Sequence, residues 1–521
     1  MPLSRMVHDA RISHLATLGK TKRIMGKKKL QSAPAVATDK VIPLNNFDSN
    51  DVNSSIVLYL LFRFDDVLDP EKLCAALEKL MNRDGWRKLG ARLRQNEAGE
   101  LEYHVPEKYD ESRPAFTYGH VTHDMPIEKH PLGSKLPRGY TGEGPGVLLD
   151  PTETEDLMGA TKGPRTLADY VEHDKPQIGL HIVSFTDATL VTLNWLHTLW
   201  DAMGRSEFLH AWMAVLDGRE DEVKPFLGFD TNPLQELGLH PKETYELADR
   251  RLSIPQLIVF GIRRALEQIL HKDEGHVICI PGKFLQGLRE KSLAELKEAA
   301  AASGDGKGEE DIFISDGDLI LAWLGRTVVK HHSIRGSRTV SLFNAFGMRG
   351  LLAKDLLPPS SAYVANAVST AYTLIPARDI INRPLSYTAS RVRQTLKVQG
   401  TRGQLEACLA LIKETYDKTG YPALFGDATM QLVIVSNWSK AKFFEIDFSS
   451  AIVDKADAAP EAMKRRGRPV YIQPFAYSDY STRCAFNVSG KDADGNYWLT
   501  GALRKEGWVR LKEALKRGEY Y

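Results

Sequence analysis

A histidine and an aspartate four residues apart are the residues of this chain best suited to acid–base chemistry. His197 and Asp201 lie in the stretch VTLNWLHTLWDAMG at 191–204. An imidazole with an ordinary pKa of about 6.5 can take a proton from an attacking alcohol near neutral pH. A histidine at the end of a strand is also common as a hydrogen-bonded core residue, so the spacing alone leaves both interpretations open.

The elements around this pair determine how His197 would be held. Apolar residues at 191, 193 and 195 alternate with polar ones, which predicts a half-buried strand. Residues 202–204 break the alternation and predict a turn, after which Ser206 can cap an amphipathic helix. We therefore expect His197 where a strand passes into a loop. There the strand fixes the backbone and the loop leaves room for substrates.

Composition excludes several classes of function. The chain has 521 residues, of which 43% are hydrophobic and 26% charged, as in ordinary globular proteins. Lys and Arg number 68 against 67 Asp and Glu, so we expect neither a nucleic-acid partner nor an anionic membrane partner. Four widely separated cysteines predict reduced, mostly buried thiols and no metal site. No run of roughly 18 apolar residues predicts a transmembrane helix.

The order of predicted elements divides the chain into four parts. Residues 1–40 are predicted to be a flexible basic tail, and 41–218 to form an N-terminal lobe with the His/Asp pair. A proline-containing crossover at 219–253 leads to a C-terminal lobe at 254–521. The basic start leaves a disordered tail, a mitochondrial presequence and an upstream start before Met25 as alternatives. We expect a cytoplasmic protein.

Several segments, in matching order, resemble the BAHD acyltransferases. HTLWDAMG is similar to the HxxxD motif of that family, and SNWSKAKFFEIDFSSA at 436–451 to its second signature, a Ser/Thr-x-Trp turn followed by Asp-Phe-Gly-Trp-Gly. Asp447 and Phe448 match, whereas 449–451 do not. NAFGMRG at 344–350 and PPSSAYVANAV at 358–368 also resemble family segments. The resemblance covers about residues 41–515 and is closest to fungal members.

The resemblance implies an architecture and a reaction. The expected fold is α/β, with two similar-sized lobes like chloramphenicol acetyltransferase. Each lobe would be a mixed sheet flanked by helices, with a channel between the lobes. The expected reaction moves an acyl group directly from acyl-CoA, a co-substrate and not a tightly bound cofactor, to an alcohol or amine. The acceptor would be a small secondary metabolite and the enzyme a monomer.

The resemblance also assigns roles to residues. His197 would be the general base and Ser436 a donor to the oxyanion, although a serine in that position is equally an ordinary strand-end hydroxyl. Preorganised oxyanion donors are worth about 3 kcal/mol each. Asp201 would pair with an arginine to hold its loop, and Asp447 would pair with Arg349. The remaining structural residues expected at the site are Gly204, Asn366 and Trp438. No ligand of the coenzyme A phosphates is identified.

Two other functions stay open from the sequence. A condensation domain of the same superfold usually carries a second histidine directly before the catalytic one, where this chain has Leu196, and takes acyl groups from a carrier protein. A catalytically inactive relative would bind ligands without turnover. The retained His197 speaks against this alternative, whereas the altered second signature speaks for it.

Overall fold

A computed structural model describes residues 30–303, 312–453, 465–479 and 483–521, and it shows an α/β fold of two lobes. In chain order, the strands are β1 (Lys40–Pro43), β2 (Ile56–Phe64), β3 (Arg92–Gln95), β4 (Leu101–Val105), β5 (Thr117–Thr122), β6 (Gly146–Val147), β7 (Ile178–Ser184), β8 (Thr189–Leu196), β9 (Asp273–Ile280), β10 (Thr339–Gly347), β11 (Val368–Pro376), β12 (Gln431–Asn437), β13 (Tyr471–Ser478), β14 (Ala485–Lys491) and β15 (Tyr497–Arg504).

Helices cover the sheets. They are α1 (Asp51–Ser54), α2 (Pro70–Met81), α3 (Ala168–Val171), α4 (Ala202–Leu216), α5 (Ile254–Leu270), α6 (Gly282–Ser303), α7 (Asp316–His331), α8 (Arg349–Leu352), α9 (Ala377–Asn382), α10 (Leu385–Gln399), α11 (Arg402–Thr419) and α12 (Lys505–Lys516). Within the described ranges, no helix combines the length and apolar character needed to cross a bilayer.

The sheet of the N-terminal lobe positions the His/Asp pair. Its strand order is β13-β2-β8-β7-β5, and β8 lies at its centre between antiparallel β2 and β7. Every residue of β8 is buried, including the polar ones. Both faces of β8 are therefore covered by other parts of the protein. The strand is a rigid support for the residue that follows it.

The sheet of the C-terminal lobe has seven strands in the order β11-β10-β12-β14-β15-β9-β6. Two strands are exchanged between the halves of the chain. β13 lies in the N-terminal sheet against β2, whereas β6 lies in the C-terminal sheet against β9. The predicted limits 41–218 and 254–521 therefore do not coincide with the sheets, because the exchanged strands cross them. A small third sheet, β1-β4-β3, packs in the N-terminal half.

The predicted N-terminal tail, residues 1–40, belongs to the folded lobe at residues 30–40. Leu30 donates its backbone N–H to Gln95 Oε1 at 2.8 Å, and Ala33 donates to the carbonyl of Val171 at 2.9 Å. Lys40 already belongs to β1. The N-terminal lobe thus begins earlier than position 41, and the remainder of the predicted tail, residues 1–29, lies outside the described residues.

Candidate active site

His197 directly follows β8 and is held there by backbone pairing. Its N–H donates to the carbonyl of Ile56 at 2.9 Å, which continues the ladder between β2 and β8. The side chain is half-buried, whereas those of Leu196 and Thr198 on either side are buried. Nδ1 of the ring is buried without a hydrogen-bond partner. The backbone of His197 is thus fixed by the β2–β8 ladder, and no carboxylate is bonded to Nδ1 of its ring.

The surroundings of His197 keep its imidazole neutral. Burial lowers its pKa below the ordinary 6.5, because the charged form loses water. The negative charge of Asp201 raises the pKa, and the positive charge of Arg205 lowers it. Since the net shift is downward, the ring is unprotonated at pH 7 and can accept a proton.

Asp201 begins the helix that follows β8. Its Oδ1 accepts the N–H of Gly204 at 2.8 Å, which makes Asp201 the N-cap of α4. The predicted cap, Ser206, is wrong because α4 begins at Ala202 and Ser206 lies inside its first turns. The hydroxyl of Ser206 instead donates to the carbonyl of Ala441 at 2.9 Å.

The second oxygen of Asp201 joins the two halves of the chain. Oδ2 accepts from Nη1 of Arg349 and from the N–H of Ala367, both at 2.8 Å. Arg349 also donates to the carbonyls of Tyr363 at 3.1 Å and Ala365 at 2.7 Å. One aspartate and one arginine thus fix segment 363–367 against the start of α4, and the carboxylate faces these donors.

The predicted pair between Arg349 and Asp447 is wrong. Asp447 lies 3.7 Å from Nε of Arg468, and its Oδ1 accepts the N–H of Ser449 in a turn. Arg349 is committed to Asp201, whose buried carboxylate needs a charged partner more than the partly exposed Asp447 does. Asp447 therefore stabilises its own turn and takes no part in the loop clamp.

Asn366 connects this clamp to His197. Its Nδ2 donates to the carbonyl of His197 at 3.0 Å and to Oδ1 of Asp48 at 2.7 Å, and its N–H also donates to Asp48. Asp48 is 3% exposed. Asp48 could not be predicted from the sequence, because its segment NNFDSND is typical of a polar surface turn and nothing in its spacing indicates a buried carboxylate.

Gly204 is required by a close approach of two backbones. A Cβ at this position would lie 1.8 Å from the carbonyl oxygen of Val364. Only glycine lets α4 come so near to the segment that Arg349 holds. The structural role predicted for Gly204 thus has a steric reason, because residues 363–367 pass directly over the first turn of α4 and leave no room for a side chain.

Ser436 and Trp438 lie at the carboxyl end of β12. Trp438 Nε1 donates to Ser436 Oγ at 2.9 Å. Because that bond uses the oxygen of Ser436 as the acceptor, the hydroxyl hydrogen remains free to donate elsewhere. Ser436 is half-buried, so a ligand group can reach it. The divergent residues 449–451 form a short turn beyond it and contribute no tryptophan.

Arg205 occupies the space between the two signature segments, and it too could not be predicted from the sequence. Its guanidinium carbon lies 4.7 Å from the ring centres of Trp195 and Trp438 and 4.6 Å from that of Phe443. The side chain is 2% exposed. A single arginine in a helix of mixed composition gives no sequence signal for such burial, because the ring of Trp195 and the rings of Trp438 and Phe443 come from two distant segments.

The described part of the chain offers no metal centre. Within it, no group of three or more His, Cys, Asp or Glu side chains is arranged to hold a metal ion. The cysteines are free thiols, with Cys279, Cys408 and Cys484 buried and Cys74 partly exposed, which confirms the prediction of mostly buried thiols.

The chain is similar to a known protein family, to curated proteins and to solved structures. The model of the family described as the Transferase family matches residues 163–452. The chain is 40% identical to Transcriptional regulator calD of Penicillium decumbens, over 94% of this chain and 98% of that protein. It is 39% identical to Acetyltransferase sphE of Aspergillus fumigatus, over 92% and 96%. Its fold is similar to that of F. sporotrichioides TRI101, solved with coenzyme A and T-2. The TM-score is 0.63 at 17% identity, covering 92% of this chain and 98% of that one.

Proposed function

Since this chain belongs to the Transferase family, that of the BAHD-type acyltransferases, we propose that it moves an acyl group from acyl-CoA to a small-molecule acceptor. The acceptor group is a hydroxyl or an amine of a secondary metabolite. The observation that carries the proposal is the neutral, half-buried imidazole of His197, held by its backbone at the end of β8. Coenzyme A and T-2 in the structure of TRI101 support a site for two small substrates.

The proposed reaction is direct transfer in one site. His197 takes the proton of the acceptor hydroxyl while the oxygen attacks the thioester carbon, so that a C–O bond forms and the carbonyl oxygen becomes an oxyanion. The free hydroxyl hydrogen of Ser436 is directed to this oxyanion. The intermediate then collapses, the C–S bond breaks, and the thiolate of coenzyme A takes the proton from the His197 imidazolium.

The other site residues hold the reacting groups in place. Asp201 and Arg349 clamp the loop after β8, Gly204 permits the close approach of segment 363–367, and Asn366 fixes the carbonyl of His197. We propose that acyl-CoA and the acceptor reach His197 through opposite ends of a channel between the lobes. The proposed working form is a cytoplasmic monomer without a tightly bound cofactor.

A His197→Ala variant tests the proposed function. Purified protein is incubated with acetyl-CoA and a panel of alcohols and amines, and free coenzyme A and acylated products are measured by mass spectrometry. We expect His197→Ala to lower turnover by about 10²- to 10⁴-fold with an unchanged melting temperature. The matched control is His240→Ala, an exposed histidine in the crossover segment. Near-normal turnover of His197→Ala would rule out the mechanism.

Two alternatives are decided by the same assay. The name Transcriptional regulator for a relative at 40% identity favours, as second candidate, a protein that binds a small ligand without converting it. Thermal stabilisation by coenzyme A without any product from the panel would support this candidate. A condensation-type enzyme would reject free acyl-CoA and accept the acyl group only from a carrier protein.

A further inference from the structure

We propose that Arg205 is a positioning residue of the oxyanion site, acting on Ser436 through the indole of Trp438. The inference rests on the proposed function and adds to it a residue that lies outside both signature motifs. Its basis is an unbroken series of contacts. The guanidinium of Arg205 lies 4.7 Å from the Trp438 ring centre, and Nε1 of the same indole donates to Ser436 Oγ at 2.9 Å.

The position of Arg205 is fixed by the elements around it. It lies in the first turns of α4, whose N-cap Asp201 belongs to the loop after His197. The next residue, Ser206, donates to the carbonyl of Ala441 at 2.9 Å and so ties α4 to the turn that follows Trp438. Helix and turn therefore move together, and the cation stays under the indole.

Ordinary ion pairing does not explain why Arg205 is buried. Its Nε and Nη2 are buried without hydrogen-bond partners, and its guanidinium lies among the three aromatic rings. Burial lowers its pKa to about 9, against the opposing charge of Asp201, so the side chain is still protonated at pH 7. A positive charge held this way acts on the rings that surround it.

A cation on the face of an indole draws electron density out of the ring and makes its N–H a stronger donor. Trp438 then holds Ser436 Oγ more firmly as an acceptor, which directs the hydroxyl hydrogen away from the indole. That hydrogen is the one available for the oxyanion. A donor aligned before the reaction begins is worth more than one that must reorient during it.

A double-mutant cycle tests the coupling. We expect Arg205→Met to lower kcat about tenfold with KM changed less than twofold when Ser436 is present. In a Ser436→Ala background, we expect the same change to lower kcat less than twofold, because its target is gone. Arg383→Met is the matched control, since Arg383 also lies over an aromatic ring, that of Tyr387 at 4.5 Å, but on the exposed surface. An equal loss in both backgrounds would overturn the proposal.

A second measurement does not depend on turnover, so it distinguishes a failure of this inference from a failure of the proposed function. In protein labelled with ¹⁵N-tryptophan, the indole signal of Trp438 is assigned with Trp438→Phe. We expect Arg205→Met to move the Nε1 proton upfield, because the donor is weakened. An unchanged signal in a folded variant overturns the inference, even if the protein turns over acyl-CoA normally.

Discussion

Nη1 of Arg349 lies 2.8 Å from Oδ2 of Asp201, and this ion pair joins the start of α4 to segment 363–367. The carboxylate also accepts the N–H groups of Gly204 and Ala367 at 2.8 Å. The carboxylate oxygens of Asp201 thus accept from three donors, Nη1 of Arg349 and the N–H groups of Gly204 and Ala367. The spacing of His197 and Asp201 in the sequence suggests a catalytic pair, whereas the structure directs the aspartate to an architectural contact.

The first prediction concerns the Asp201→Asn substitution. We expect it to lower the free energy of unfolding by about 3 kcal/mol, because it leaves the charge of Arg349 without its partner. In the folded protein kcat should fall less than about tenfold. Where a carboxylate orients a catalytic histidine, the same substitution lowers kcat about 10⁴-fold. Urea unfolding and turnover per folded molecule measure both quantities.

The matched control for this substitution is Asp447→Asn. The side chain of Asp447 is 40% exposed and its ion pair with Arg468 is 3.7 Å long. Exposed pairs of this kind contribute less than about 1 kcal/mol, so the control should be close to wild type. Equal destabilisation by both substitutions would contradict the loop clamp described for Asp201.

The second prediction concerns the pH dependence of kcat/KM. Because the pKa of His197 lies below 6.5, kcat/KM should be constant from pH 7 upward and fall as the pH drops through the lowered pKa. Arg205→Met removes a charge that lowers this pKa, so the acid limb should move to higher pH. Asp201→Asn removes a charge that raises it, so the limb should move to lower pH. Initial rates between pH 5 and 8.5 measure these shifts; shifts of opposite sign would contradict the assignment.

The third prediction concerns Asp48 and stability. Burial raises its pKa from 3.8 to about 7, although the hydrogen bonds from Asn366 and the charge of Lys88 oppose the shift. The folded state therefore holds this proton more tightly than the unfolded state, and stability should decline as the pH rises from about 4 to about 7. In the Asp48→Asn variant this side chain cannot ionise, so the variant's stability should decline less over the same pH range. Urea midpoints at pH 5 and pH 8 measure the difference.

A companion substitution separates charge from anchoring at the same position. Asp48→Ala removes the acceptor of the Asn366 N–H and one of the two acceptors of its Nδ2, which should cost about 1–3 kcal/mol. Asn366 also holds the carbonyl of His197, so kcat should fall more in Asp48→Ala than in Asp48→Asn. Equal kcat values for the two variants would mean that Asp48 does not support the histidine.

The fourth prediction concerns Gly204. Gly204→Ala would bring a Cβ to within 1.8 Å of the Val364 carbonyl oxygen, so helix and segment must separate. We expect a loss of about 3 kcal/mol or more, together with lower kcat. The control is Gly261→Ala in α5, where a Cβ meets nothing within 4 Å. There the higher helix propensity of alanine should leave stability unchanged or raise it by up to about 1 kcal/mol. Comparable losses in the two variants would contradict the steric role.

Regular elements near the site could be predicted from sequence because their signals are local. The alternating apolar residues before His197 predict β8, and the Asp69-Pro70 start predicts the helix that the structure shows at Pro70–Met81. The first residue of α4 could not be predicted the same way. Asp201 and Ser206 are both good caps, and the choice depends on Arg349 and Ala367, which fix Asp201 from more than a hundred residues away.

The sequence by itself determined the candidate base, His197, and the family of the chain, because both depend on short motifs in a fixed order. Only the tertiary structure decided the partners. It paired Arg349 with Asp201 and not with Asp447, brought Asp48 beside Asn366, and enclosed Arg205 between three rings from two distant segments. Ion pairs and ring contacts depend on where buried side chains converge. The spacing of residues along the chain does not show which side chains meet in the folded protein.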